Sequence, residues 1–317
     1  MNNRMVKKLK FVFLDQDDII LSPEYLKPLK ERGTVEIYNT LPENEEILVE
    51  RAGEADVLFF ATANFGPATL DRLPRLKVLQ FLGTGVWNLV DMEYAHKKGI
   101  KVLNIENYGN NAVAEFTLAL AFCLARNIPA GMRKMDKRVW SVTGLEGVEI
   151  EGSTFGVVGT GNIGAVVAAK ASLLGARVLA YDIFEKEYLK KDYGVIYTGL
   201  DKVLKEADFF TLHLKTTPET TGLIDARFIA SMKKEAFFIN AARAEIVDND
   251  ALYEALRTKK LRGAALDVFT EEPPRDYRFS RLENVITTPH IGFYTRRAAL
   301  KMLNMSIENA LKALDQK

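Results

Sequence analysis

A single cysteine among 317 residues, Cys123, cannot close an internal disulfide, so no disulfide framework holds this chain, and a reducing, cytoplasmic setting fits. An excess of either charge is also missing. Forty-three Lys and Arg stand against 42 Asp and Glu, a formal +1, which leaves no basic surplus for nucleic acid or an anionic membrane. Long apolar runs are absent. The most apolar stretch, residues 116–125, is about half of the ~20 residues that a bilayer-spanning helix needs. Arg4, Lys7, Lys8 and Lys10 imitate the basic start of a signal peptide, but the apolar run behind them, 11–14, is cut short by Asp15, Asp17 and Asp18. The expectation is a cytoplasmic protein with neither signal sequence nor membrane span. No metal site, fixed-period repeat or low-complexity segment is read from the chain. Histidine is scarce as well: His96, His213 and His290 are the only three.

What is present is ordinary for a folded globular protein, with 48% hydrophobic and 27% charged residues, and the length favours two domains over one core. Short apolar runs alternate with amphipathic segments almost from end to end, the pattern of an α/β protein with parallel sheets. The first series of strands is expected at 10–15, 35–39, 57–61, 78–83 and 101–105, with helices such as 24–32 and 43–52 between them. A second series begins at residue 154: strands at 154–158, 177–182, 207–214, 236–241, 263–269 and 285–288, separated by helices at 162–174, 200–206, 226–232 and 248–258. Between the series lies 110–135, read as one long helix whose only breakers are Pro129 and Gly131, and the chain closes on an amphipathic helix at 295–314.

The second series opens with Gly159, Gly161 and Gly164 in the spacing G-x-G-x-x-G, directly after an apolar strand and before a helical pattern. In that context the glycines permit a tight turn, a close approach of the backbone to a pyrophosphate, and close packing of helix on strand. The helix start offers N–H groups and the positive end of its dipole to the phosphates. The next strand ends in Asp182, 18 positions after Gly164. A carboxylate there accepts hydrogen bonds from the adenosine ribose and repels a 2′-phosphate, so NAD is expected rather than NADP. Taken alone, Asp182 also reads as a solvated turn residue.

Hydride chemistry on a 2-oxo acid needs a cation for the carboxylate, a proton donor for the carbonyl oxygen, and an acidic neighbour to keep that donor charged. His290 follows a strand in Thr-Thr-Pro-His-Ile-Gly, at a sheet end where ligands of open α/β folds bind. His213 lies inside an apolar run and reads as a satisfied near-core residue; His96, beside Lys97 and Lys98, reads as a helix-surface residue. These observations leave His290 open between a catalytic and a structural role.

Three segments settle the comparison: Phe-Ile-Asn-Ala-Ala-Arg-Ala-Glu-Ile-Val-Asp (238–248), Gly-Ala-Ala-Leu-Asp-Val-Phe-Thr-Glu-Glu-Pro (263–273) and Thr-Pro-His-Ile-Gly (288–292). In this order and downstream of the glycine loop, they resemble the D-isomer-specific 2-hydroxyacid dehydrogenase family. Gly83-Thr84-Gly85, Val113-Ala-Glu115, Trp140, Gly147-Val-Glu149 with Gly152, Thr217-Pro-Glu-Thr220 and Gly222-Leu-Ile224 extend the resemblance over nearly the whole chain. It implies that Arg243 binds the substrate carboxylate, that His290 is the acid–base, and that Glu272 backs His290 while Glu271 stands by. Thr84 and Gly85 would present backbone N–H groups to the substrate, alongside Arg243 and His290. Gly159, Gly161, Asn162, Ile163, Gly164, Asp182, Thr217, Asp267 and Gly292 would form the NAD site, with Asp267 holding the nicotinamide carboxamide. The fold it implies is α/β with two domains: a Rossmann-type, doubly wound parallel sheet (106–290) inserted into a smaller flavodoxin-like substrate domain (1–105 plus 291–317). Active site and cofactor would meet in the cleft between them, and helix 110–135 would link the domains and form a homodimer.

Several positions depart from the family pattern. Ala244 stands where glycine is usual, which would strain the backbone if φ there is positive. Lys215 replaces a common proline, Trp87 a common aspartate, and Phe293 and Tyr294 the usual small residues; the three aromatic residues either line the pocket or pack a seam. The segment Ala61-Thr-Ala-Asn64 lacks the arginine expected for a phosphorylated substrate, so glyoxylate, hydroxypyruvate or another small oxo acid is favoured. Glu272 in place of glutamine argues against formate, and the absence of a lysine near Gly83 against phosphite. The competing reading is an NAD-sensing, corepressor-like binding protein. A Rossmann enzyme using a methyl donor would leave Arg243, Glu272 and His290 without a role.

Overall fold

The computed structural model describes residues 8–15 and 24–316, so Arg4, Lys7, Asp17 and Asp18 lie outside the described residues. The chain divides into two compact units, Met1–Gly109 with Tyr294–Lys317, and Asn110–Phe293.

In the first unit the strands are β1 (Leu9–Phe13), β2 (Gly33–Ile37), β3 (Val57–Phe60), β4 (Val78–Phe81) and β5 (Lys101–Leu103). They form one parallel sheet in the order β2-β1-β3-β4-β5, the flavodoxin-like order. β3 and β4 are buried along their whole length, which is why they show no polar–apolar alternation, with Gln80 the one polar residue in them. Phe13 and Phe59 are register partners and stack at 4.3 Å between ring centroids, a contact worth about 0.5–1.5 kcal/mol beyond its buried area. Side-chain caps begin the helices cleanly: Asn44 accepts from Ile47 N–H ahead of Glu45–Ala52, and Asp91 from Tyr94 N–H ahead of Met92–Lys97. The final helix, Arg296–Asp315, is capped by Thr295 and lies on β4 and β5, burying Ala299, Met302, Leu303 and Ile307.

The second unit holds β6 (Thr154–Val158), β7 (Arg177–Tyr181), β8 (Ile196–Tyr197), β9 (Phe209–Leu212), β10 (Phe237–Asn240), β11 (Gly263–Leu266) and β12 (Val285–Thr287). All pairings are parallel, in the order β12-β11-β10-β9-β6-β7-β8, a doubly wound sheet of Rossmann type. Register is fixed by aromatic ladders. Phe155, Phe209 and Phe237 stack across β6, β9 and β10, and Phe210 stacks on Phe238 on the other face.

The expected strands all form, although most expected runs extend one or two residues past the observed end, because apolar residues continue into the loops. β8 carries only two residues and gives no periodic signal. The largest correction concerns the helix expected at 110–135. It is two helices, Asn110–Ala125 and Ile128–Asp136, bent by 62°. Asn127 takes a left-handed φ of +51°, and Pro129, which has no N–H to give, sits in the first turn of the second helix. Asn110–Ala125 packs into the core of the second unit through Ala114, Leu118, Ala121 and Leu124. Among the described residues no single helix is long and apolar enough to cross a membrane, and this bent pair passes only by length and composition.

Candidate active site

Because each sheet is all-parallel, its strand carboxyl ends open along one edge, and open sheets of this kind bind ligands there, where the strand order reverses. In the second unit the reversal lies between β6 and β9. The candidate residues fall along that edge: the glycine loop after β6, Asp182 after β7, Arg243 after β10, Asp267 and Glu272 after β11, and His290 after β12. A cavity of about 480 Å³ occupies the opposite edge, among Ser153, Phe209, Lys233, Phe237 and Arg262, and none of the candidate residues lines it.

The glycine loop has the shape its spacing implies. Gly159 takes φ +90°. A Cβ on Gly164 would fall 1.8 Å from the Gly159 carbonyl oxygen, so only glycine allows helix Gly164–Leu173 to seat against the strand. At Gly161 the reverse holds: a Cβ would meet nothing within 4 Å and would stand in open space. No side chain caps this helix at Ile163, and its first turn carries no acidic residue, which suits an approaching phosphate. The residues present therefore fit a dinucleotide. Asp182 is held close to the loop. One carboxylate oxygen accepts from Thr160 N–H at 2.5 Å and from its hydroxyl at 3.2 Å, and the other from Phe184 N–H at 2.9 Å. Thr160 is fully buried, a partner that motif reading passed over. Thr217 lies in the exposed turn after β9, its carbonyl oxygen accepting from Thr220 and Thr221 N–H.

His290 Nδ1 lies 2.6 Å from Glu272 Oε2, and Glu272 Oε1 accepts from Phe269 N–H at 2.9 Å. Burial alone would raise the Glu272 pKa. The hydrogen bond and charge of His290, the Phe269 N–H and the nearby Arg243 charge outweigh it and hold the carboxyl below its ordinary value. Glu271 instead pairs with Arg275 at 2.6 Å. Arg243 is oriented from below. Asn240, buried at the end of β10, donates to the Arg243 carbonyl at 2.9 Å and accepts from Ala242 N–H at 3.0 Å, while the guanidinium donates to the Ala242 carbonyl at 2.7 Å.

Asp267, only 1% exposed, gathers the loop that carries His290. Its carboxylate accepts from the Thr288 hydroxyl at 2.6 Å and from the N–H groups of Ile291 and Gly292 at 2.9 and 2.8 Å. Burial raises its pKa, opposed by these donors and by the His290 charge. A Cβ on Gly292 would stand 3.0 Å from this carboxylate. Neither Asn240 nor Thr288 was singled out from sequence, although both sit inside the motifs that were.

The departures resolve in part. Ala244 begins the short helix Ala244–Ile246, is buried, and is not among the positive-φ residues, so no strain arises. Phe293 sets its ring edge-on to His290, with centroids 6.3 Å apart. Trp87 is 60% exposed. His213 bonds Thr211 through Nε2 at 3.1 Å, and burial pushes its pKa down to about 3, a neutral packing residue as expected.

In the first unit, Thr84 and Gly85 form the turn after β4, where Asn104 Nδ2 donates to the Thr84 carbonyl at 2.6 Å. Asp15, read from sequence only as the end of an apolar run, orders the segment after β3. It accepts from the N–H groups of Ala61, Thr62 and Ala63 and from the Thr62 hydroxyl, at 2.8–3.2 Å.

Comparison with known proteins bears on the family and the fold. The family profile described as "D-isomer specific 2-hydroxyacid dehydrogenase, NAD binding domain" matches residues 118–292. The chain is 39% identical over 280 residues to D-3-phosphoglycerate dehydrogenase of Methanocaldococcus jannaschii, covering 88% of this chain and 53% of that protein. It is 34% identical to glyoxylate reductase of Korarchaeum cryptofilum, covering 85% and 83%. Among solved structures, D-lactate dehydrogenase from Aquifex aeolicus, complexed with NAD and lactic acid, superposes with a TM-score of 0.82 at 30% identity, covering 97% and 95%. The chain spans about half the length of the phosphoglycerate dehydrogenases it matches.

Proposed function

The chain belongs to the D-isomer specific 2-hydroxyacid dehydrogenase family, and from that we propose that it is an NAD-dependent oxidoreductase acting on a small D-2-hydroxy acid and its 2-oxo counterpart. The observation that carries this is the 2.6 Å contact between His290 and Glu272, with the charge of Arg243 near enough to bear on the same carboxylate.

When bound, NAD(H) supplies or accepts the hydride at the carbon that interconverts between carbonyl and alcohol. The chain's own residues do the rest. Arg243 pairs its guanidinium with the substrate carboxylate and so aims the neighbouring carbonyl. His290 Nδ1 is committed to Glu272, which leaves Nε2 to face substrate. In reduction Nε2–H would give its proton to the carbonyl oxygen, and in oxidation Nε2 would take the hydroxyl proton. Glu272, kept ionised, fixes the ring through its bond to Nδ1. Thr84 and Gly85 are proposed as further carboxylate contacts, and Asp267 as a nicotinamide contact in addition to its hold on the 288–292 loop.

The proposed substrate is unphosphorylated, on the ground that Ala61–Asn64 offers no cation. NADH oxidation with glyoxylate, hydroxypyruvate, pyruvate and 3-phosphohydroxypyruvate tests both claims. Turnover confined to the phosphorylated acid overturns the substrate assignment. Tight NADH binding with negligible turnover of every acid overturns the enzyme and favours the sensor.

A homodimer is proposed with it. Ile128, Met132 and Met135 on helix Ile128–Asp136, with Val139, Trp140 and Val142 beyond it, form an exposed apolar stretch in which Trp140 is 90% and Met132 62% accessible. Sedimentation velocity at micromolar concentration tests it, and a monomer counts against it. A cytoplasmic location is proposed on the single free thiol, Cys123.

A further inference from the structure

The glycine loop supplies no charge to its ligand. Residues 159–164 are all neutral, and the first basic residue of the following helix, Lys170, is engaged with Glu115 at 2.7 Å. Asp182 adds a negative charge beside the loop. A dinucleotide brings two phosphates to this place, so backbone dipoles alone would have to offset both them and Asp182 unless a cation enters from another segment.

Lys186 provides one. Its Nζ donates to the carbonyl oxygen of Gly161 at 3.2 Å. Gly161 is the loop glycine whose Cβ would meet nothing within 4 Å, so the ammonium is anchored on the loop residue beside which space is open. Among the described residues this ammonium has no carboxylate partner, whereas Lys190 nearby is held by both Glu185 and Glu187. The backbone beneath it is pinned. Lys186 N–H donates to the Tyr197 hydroxyl at 3.1 Å, and that hydroxyl donates to Thr160 Oγ1 at 2.9 Å, within the same network that fixes Asp182.

We infer that Lys186 is a cofactor-binding residue whose ammonium pairs with the pyrophosphate of the bound dinucleotide. The inference rests on the NAD reading proposed above. An ammonium has three N–H donors, so Lys186 keeps its bond to Gly161 and still offers two to phosphate oxygens. Lys186 and Asp182 then divide the work by charge: the lysine receives the pyrophosphate common to both nicotinamide dinucleotides, and the aspartate turns away a 2′-phosphate.

The test is calorimetric titration of wild type, Lys186→Met and Lys186→Arg with NADH, NADPH, ADP and adenosine, with thermal melting to verify the fold of each variant. Lys186→Met is expected to weaken NADH and ADP by roughly five- to tenfold, the scale of one charge-assisted hydrogen bond at a partly exposed site. Adenosine, which lacks the phosphates, should change by less than about twofold. Lys186→Arg should retain most of the affinity, and salt at about 0.5 M should shrink the gap between wild type and Lys186→Met. An unchanged NADH affinity in Lys186→Met, an equal loss for adenosine and ADP, or a loss confined to NADPH overturns the role of Lys186. Wild-type protein that binds neither NADH nor ADP overturns the dinucleotide reading itself, a distinguishable result.

Discussion

His290 reaches Glu272 across 2.6 Å from a backbone held at φ +54°. Few side chains tolerate that left-handed conformation, and asparagine is among the best of them. His290→Asn therefore removes the imidazole with little disturbance of the backbone. It is expected to lower kcat by about 10²–10⁴-fold, the usual share of general acid–base catalysis, with NADH affinity kept within about twofold. Glu272→Gln should move kcat in the same direction. Stopped-flow turnover and NADH titration on the same preparations check this, and near-normal turnover in His290→Asn removes the residue from the chemistry.

Two glycines of one loop should respond to the same substitution in opposite ways. Gly164→Ala forces a Cβ to within 1.8 Å of the Gly159 carbonyl oxygen, which should cost about 2–4 kcal/mol of stability. Gly161→Ala meets no protein atom within 4 Å, so the melting temperature should barely change while NADH affinity falls by more than about tenfold. Melting curves and NADH titration of both variants decide it. Equal destabilisation, or full NADH affinity in Gly161→Ala, contradicts the account of the loop.

Asp182 both refuses a 2′-phosphate and ties down Thr160 and Phe184. Asp182→Ala should thus lower kcat/KM with NADH and at the same time narrow the NADH over NADPH preference by about tenfold or more. The ratio of kcat/KM for the two cofactors is the measurement, and an unchanged ratio excludes the proposed role.

Burial pushes the His213 pKa down to about 3, against about 6.5 in an unfolded chain. The unfolded state binds the proton first, so this site costs nothing above about pH 6.5, and stability is lost progressively as pH falls toward 3. Between pH 6.5 and 5 the loss should be about 1–2 kcal/mol, read as a falling melting temperature. His213→Asn should flatten that part of the profile. A variant whose profile parallels wild type locates the acid sensitivity elsewhere.

The parallel sheets were legible because buried strands such as β3 are continuous apolar runs, and because the glycine spacing marks where β6 turns into a helix. The bend at Asn127 was not. A left-handed residue leaves no mark in hydrophobic periodicity, and Pro129 is as compatible with the start of a helix as with a kink. Arg243, Glu272 and His290 were found through motif order, since their juxtaposition depends on β10, β11 and β12 lying side by side, which no local pattern encodes. The supporting residues escaped for the same reason. Asp15 and Thr160 act through contacts between segments that only the folded sheet brings within reach, whereas Asn240 bonds Ala242 and Arg243 beside it, through an amide side chain that carries no motif signal of its own.

The first unit borrows its last helix, Arg296–Asp315, from beyond the whole of the second, and that helix supplies Ala299, Leu303 and Ile307 to cover β4 and β5. During synthesis on a ribosome the usual order is therefore reversed. The segment made first must wait with β4 and β5 uncovered until residues 296–315 leave the exit tunnel, whereas the segment between already has every strand of its own sheet. Nascent chains stalled shortly before residue 296 should accordingly expose the β4 and β5 face to chaperones, although the glycine loop behind it is complete.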